Sequence, residues 1–141
     1  LFYEHLKLLK DGFSIKRPNY CFTNHLRTKD TTLIMPKKII IIEGILILSD
    51  KNIRNILNHR VYIEVDENIR EKRRVERDFV ERGRNKLNTI KLFNELLHPM
   101  HNLHIEPVKK YCNLILDNNN LDSDCDVRIS NFIKKVLKNE I

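Results

Sequence analysis

Four consecutive isoleucines, residues 39–42, follow Lys37 and Lys38 and stop at Glu43 and Gly44. A run apolar on both faces suits a central strand of a parallel sheet covered by helices. A second strand is expected over 60–65, after a short helix over 50–57, and a third over 113–116. Strand, helix and strand in that order favour a doubly wound parallel α/β sheet. Upstream, Tyr20 and Phe22 alternate with smaller neighbours across 19–23, and period two sets both rings on one face of a strand. The polar run 24–30 separates them from the β-prone 31–35, which predicts a β-hairpin projecting from the core.

The helical pattern begins with Leu6, Leu8 and Leu9 in a helix over 1–11, terminated by Gly12. A charged helix is expected over 67–82, and a longer one over 87–104, bent or broken at Pro99 for want of an amide proton. Residues 117–124 form an Asn/Asp-rich loop, and Ser123 or Asp124 caps a last helix that turns Val127, Ile133, Val136 and Leu137 inward. Neither an internal repeat nor an interdomain linker is visible.

A chain of 141 residues, 41% hydrophobic and 32% charged, builds one modest core and excludes two full domains. No stretch approaches the roughly 18 apolar residues of a membrane span, and the start lacks the basic-then-apolar signature of a signal peptide. The cytoplasm is therefore the expected location. The chain opens at Leu1 with a helix already at full pitch, so it is expected to begin inside a longer protein. Cys21, Cys112 and Cys125 lack metal-ligand spacing and read as reduced thiols. A net charge of +7 attracts anions, and its placement decides which.

Glu43 ends the most apolar predicted strand, and ligands of open α/β sheets bind at such carboxyl ends. A carboxylate there could hold magnesium-bound water, or it could pair with a loop that closes the sheet top. Arg70, Lys72, Arg73, Arg74, Arg77, Arg82 and Arg84 crowd a helix with a thin apolar stripe of Ile69, Val75, Phe79 and Val80. Such a helix gains little from burial and suits a mobile element that closes on an anion, with Gly83 turning two guanidinium forks inward. The interspersed Glu67, Glu71, Glu76, Asp78 and Glu81 suit equally a solvated face of i,i+4 pairs. Tyr20, Phe22 and His25 could line a slot for a flat base, or pack on the core.

Taken together the residues resemble a known family. P-x-Y-x-F-x-x-H-x-R from Pro18, P-x-x-I-I-I-x-E-G-I-L-x-L from Pro36, R-R-x-x-R-D-x-x-E-R-G-R from Arg73 and E-P-x-K-x-Y from Glu106 run in one collinear register. That order resembles the uridine kinases of the phosphoribulokinase/uridine kinase family of P-loop kinases, over essentially the whole chain. The resemblance implies transfer of the ATP γ-phosphate to the 5′-hydroxyl of uridine or cytidine, with magnesium. Residues 18–35 would be a substrate-binding hairpin and 66–84 an Arg-rich lid. Tyr20 and His25 would contact the base with Phe22 beside them. Arg74 and Arg84 would touch the sugar or the reacting phosphate, Arg77 and Arg82 would steady the ATP phosphates, and Glu43 would lie near the magnesium.

The departures are specific. The family's G-x-x-x-x-G-K-[ST] phosphate loop occurs nowhere among these residues, so the chain is expected to be part of a longer kinase and inactive alone. Leu92 stands where a base-reading glutamine is usual, Phe93 replaces the following tyrosine, His98 replaces a basic residue, and residues 118–120 lack a P-R-G turn. A non-catalytic or regulatory relative is the alternative reading. A basic nucleic-acid module is disfavoured, because acids intersperse the arginines and no aromatic platform accompanies them. Neither a nucleic acid nor a membrane is an expected partner, and homo-oligomerisation is left open.

Overall fold

Helix α1 (Phe2–Lys10) buries Leu6 and Leu9, one turn apart on one face, and leaves Leu8 exposed. It ends where Gly12 adopts φ +87°, which lets the Phe13 amide donate to the Leu8 carbonyl at 2.8 Å. The structure is a computed structural model and describes residues 1–21, 26–120 and 124–138. It divides into two units, Leu1–Asn58 and His59–Ile141.

In the first unit, strands β1 (Ile15–Cys21) and β2 (Leu26–Ile34) pair antiparallel, from Ile15 opposite Ile34 to Cys21 opposite Leu26. The register slips between Pro18 and Tyr20, where Thr28, Lys29 and Asp30 face the single Asn19. Thr32 Oγ1 donates to Asn19 Oδ1 at 2.8 Å beside this bulge. β2 takes in residues 26–30, expected to be a polar connection. Their side chains are all exposed, so alternation carried no signal there, and the backbone ladder alone makes the strand.

Residues 39–42 correct the expected central strand: they form none, and Ile41 is 75% exposed. Four isoleucines state a demand for burial, but a strand exists only with a ladder partner, and among the described residues these have none. Helix α2 (Lys51–Ile56) follows, capped by Asp50, whose Oδ1 accepts the Asn52 and Ile53 amides at 2.7 and 3.1 Å. Lys10 Nζ donates to the Ile56 carbonyl at 3.2 Å and ties α1 to α2.

The second unit is built on β3 (Val61–Glu64) and β4 (Leu114–Asp117), parallel, with Val61 opposite Leu114 and Glu64 opposite Asp117. Tyr62 and Leu116 are buried on it. Two small sheets, one antiparallel and one parallel, thus stand among the described residues of a mixed α/β chain. Helix α3 (Glu67–Arg82) ends at Gly83 in the left-handed region, φ +62°. α4 (Lys86–Leu92) continues through a π turn, Phe93–Leu97, into α5 (His98–His104), and a 3-10 turn, Glu106–Tyr111, leads to β4.

At Pro99, where a bend or a break is expected, the structure shows a change of pitch. Wider turns precede the residue whose missing amide would have bonded to a carbonyl four back. Helix α6 (Cys125–Lys138) also differs from expectation: Val127 and Leu137 are exposed, and Ile133 and Val136 only half-buried. The Asp124 carbonyl accepts the Arg128 amide at 2.9 Å, whereas Ser123 lies outside the described residues. No described helix is long and apolar enough to cross a membrane.

Candidate functional site

The apolar stripe of α3 is too thin to bury the helix, and its second half does the reverse of what a core helix does. Phe79 and Val80 are 50% and 69% exposed, while Asp78 between them and Arg77 is fully buried. The arginines bury it. Oδ1 of Asp78 accepts from Arg77 Nη2 at 2.9 Å and lies 3.2 Å from Arg82 Nη1, and Oδ2 accepts from Arg84 Nη1 at 3.1 Å. Arg74 stands one turn back with Nε 3.6 Å from Oδ2, too far for a hydrogen bond. Arg74 and Arg82 reach Asp78 from i−4 and i+4. Arg84 reaches it because the left-handed Gly83 folds the chain back, with the Arg84 amide donating to the Asp78 carbonyl at 3.0 Å.

One carboxylate faces four guanidinium groups, so three positive charges remain uncompensated by it. Burial works to raise the Asp78 pKa, but the Arg77 hydrogen bond and the charges of Arg74, Arg77 and Arg82 outweigh it and hold the carboxyl below its usual range. Arg74 is pushed down from the arginine value by its burial and by the neighbouring Arg77, Arg82 and Arg84, against the pull of Asp78. Arg77, Arg82 and Arg84 keep nearly half their side-chain surface open, and each guanidinium has five N–H donors. Such a cluster keeps donors to spare for a further anion.

The first half of α3 is anchored differently. Arg70 Nε donates to the Val65 carbonyl at 3.0 Å, and Arg73 donates to the carbonyls of Asn118 and Asn119 at 2.8 and 3.0 Å. Below it lies a second polar cluster. Tyr62 Oη donates to Glu106 Oε2 at 3.0 Å, His101 Nε2 lies 3.5 Å from the same oxygen, and Lys109 bridges Glu64 and Glu106. Burial, then the Glu106 bond, raises the Tyr62 hydroxyl well above its ordinary value. Burial and Arg70 push His101 down, against the pull of Glu106. Burial works to raise Glu106, but the bonds from Tyr62 and His101 and the charge of Lys109 bring it down.

Of the residues singled out from sequence, Arg74, Arg77, Arg82 and Arg84 are brought together; the turn at Gly83 aims the Arg84 fork onto Asp78, whereas Arg82 reaches it from within the helix. Tyr20, in β1 of the other unit, is 47% exposed opposite Arg27. Phe22 and His25 lie outside the described residues. Glu43 is exposed in an irregular segment, since the strand expected to present it does not form. Leu92 is 39% exposed, whereas Phe93 is 4% exposed and stacks on His98 at 6.4 Å between centroids. No group of three or more His, Cys, Asp or Glu side chains converges as a metal site among the described residues. Asp78 is the residue that sequence reasoning undervalued, counted with the other acids of a solvated face. Its signal was an arginine at both i−4 and i+4.

Comparison with known proteins adds the lineage. A sequence profile described as "Phosphoribulokinase / Uridine kinase family" matches residues 1–123. Uridine kinase of Clostridium perfringens (strain ATCC 13124) is 43% identical over 116 residues, 82% of this chain and 56% of that protein. Uridine kinase of Staphylococcus haemolyticus is 40% identical over the same length and shares, and that of Vibrio vulnificus 41% over 113 residues, 80% of this chain and 53% of that protein. The chain thus spans about half the length of the curated relatives it matches.

Proposed function

The chain belongs to the phosphoribulokinase/uridine kinase family, and on that premise we propose that the protein carrying it transfers the γ-phosphate of ATP to the 5′-hydroxyl of uridine or cytidine, in pyrimidine salvage in the cytoplasm. The observation that supports this best is the convergence of Arg74, Arg77, Arg82 and Arg84 at the end of a helix with little to bury. In phosphoryl transfer charge spreads over the equatorial oxygens of the moving group, and positioned cations stabilise it there. Arg77 and Arg82 steady the ATP phosphates, while Arg74 and Arg84 face the sugar or the reacting phosphate. Residues 66–84 then act as a lid, closing when phosphate replaces water around the exposed forks.

The substrate-binding hairpin is residues 18–35. Tyr20 and His25 meet the base edge and Phe22 packs beside them. Glu43 would hold a magnesium-bound water, and the ion, when bound, would supply neutralising charge for the ATP phosphates; an exposed carboxylate suits an ion that keeps most of its hydration. In the whole protein, residues 39–42 become a strand of a larger doubly wound sheet. This would explain why Ile40 and Ile41 are 40% and 75% exposed here. No phosphate loop occurs among these 141 residues, so the chain supplies acceptor and lid elements and is inactive alone.

The deciding experiment gives the full-length protein MgATP with uridine or cytidine and follows nucleoside monophosphate. Formation of the monophosphate, absent when the 141-residue chain replaces the full-length protein, is the expected result. No product from either nucleoside would sink the assignment.

A further inference from the structure

We propose that Asp78 is a positioning residue: its buried carboxylate gathers the four lid arginines and pre-sets them for a polyphosphate. This rests on the kinase reading above. Asp78 is the one buried residue of α3, and it stands beneath the arginines. Left alone, four like charges this close would splay into solvent, each long side chain losing less rotamer entropy there. The carboxylate reverses that preference and spends only part of the donor set. Arg77 commits Nε and Nη2, Arg84 Nη1, and Arg82 approaches through Nη1. Arg74 Nε is buried with no hydrogen-bond partner, a donor directed into the cluster but not yet used.

The proposal has a sign opposite to that of simple charge counting. Replacing the carboxylate by an amide makes the cluster more positive, so net charge alone predicts tighter anion binding. The same outcome follows if Asp78 merely competes with phosphate for the arginines. Positioning predicts the reverse, because an amide cannot accept from three guanidinium groups at once and convergence is lost.

The test uses the full-length protein and inorganic tripolyphosphate as probe, followed by calorimetry, beside steady-state kinetics. Asp78→Asn is expected to weaken tripolyphosphate binding on the order of 10-fold or more, the worth of one charge-assisted hydrogen bond. It should lower kcat by a larger factor than it raises the nucleoside KM, and Asp78→Glu should recover part of the losses in binding and in kcat. Binding by Asp78→Asn equal to or tighter than the parent overturns the proposal. Arg82→Ala separates the two levels of inference. Loss in Arg82→Ala without loss in Asp78→Asn sinks positioning alone, and loss in neither sinks the phosphate reading with it. Should the Asp78 variants fail to fold, side-chain ¹⁵N spectra of the ligand-free parent decide. Slowly rotating guanidinium groups for Arg77, Arg82 and Arg84 are expected, and freely averaged signals overturn the proposal.

Discussion

The second unit holds two polar clusters of similar size and opposite logic. Around Glu106 the charges balance: Glu64 and Glu106 stand against Lys109 and the nearby Arg70, while Tyr62 and His101 are held toward their neutral forms. Around Asp78 they do not, with four cations on one anion. A balanced cluster is complete and adds to stability. An unbalanced one carries mutual repulsion that a further anion would relieve. The hydrophobic surroundings follow the same division. The Glu106 cluster sits by the buried Tyr62 and Val108, whereas the Asp78 cluster sits beside the exposed Phe79 and Val80.

The comparison breaks most visibly in kinetics. If the proposed kinase activity holds, joint replacement Arg82→Ala and Arg84→Ala should lower kcat of the full-length protein by roughly 10³-fold, the lower range for arginines that act on transferring phosphate. The melting temperature should fall only slightly, since Arg77 and Arg74 still face the buried Asp78 while repulsion among the cations falls. An unchanged kcat with a much lower melt would make the arginine cluster structural and erase the distinction.

Glu106→Ala should do the opposite. It strands the buried Tyr62 hydroxyl and removes a partner of His101 and Lys109, at a cost of about 1 to 3 kcal/mol in unfolding free energy by denaturant titration. Turnover at saturating substrate should hold within about twofold, a barrier change of only a few tenths of a kcal/mol. A large kcat loss in a variant of parental stability would move Glu106 into the reaction.

The smallest effect is in pH. The folded His101 pKa is depressed, so its contribution is whole above the unfolded value of about 6.5 and is lost as pH falls through the folded value. Asp78 and Glu106 are also depressed, and their contributions are whole above about pH 4 and lost only in stronger acid. Stability should therefore decline in two limbs, a shallow one starting near pH 6.5 and a steeper one below about pH 4. His101→Gln should remove the first limb alone. Persistence of that limb in the variant would assign it to another group.

Much of this was legible in the residue order. The leucines and Gly12 mark α1, and apolar runs mark β3 and β4 to within a residue or two. Acids and arginines at helical spacing mark α3. What failed shares one cause. β2 extends through 26–30 and residues 39–42 form no strand, because pairing depends on what backbone lies alongside, and side-chain pattern reports only burial. At Pro99, where a bend or break is expected, the helical backbone instead widens a turn upstream to absorb the missing amide.

By itself the sequence determined the lineage, the basic character of α3 and the turn at Gly83, since motif order, charge and glycine's left-handed backbone are all properties of local chain. Which acid those arginines gather around was decided only in three dimensions. Glu81 also has an arginine at i−4, Arg77, and another at i+3, Arg84, yet Glu81 is exposed and Asp78 buried. The choice turns on the direction in which Gly83 folds Arg84 back over the helix. Burial of a charge is favourable only where every compensating donor arrives at the same point, and that is a property of the folded chain.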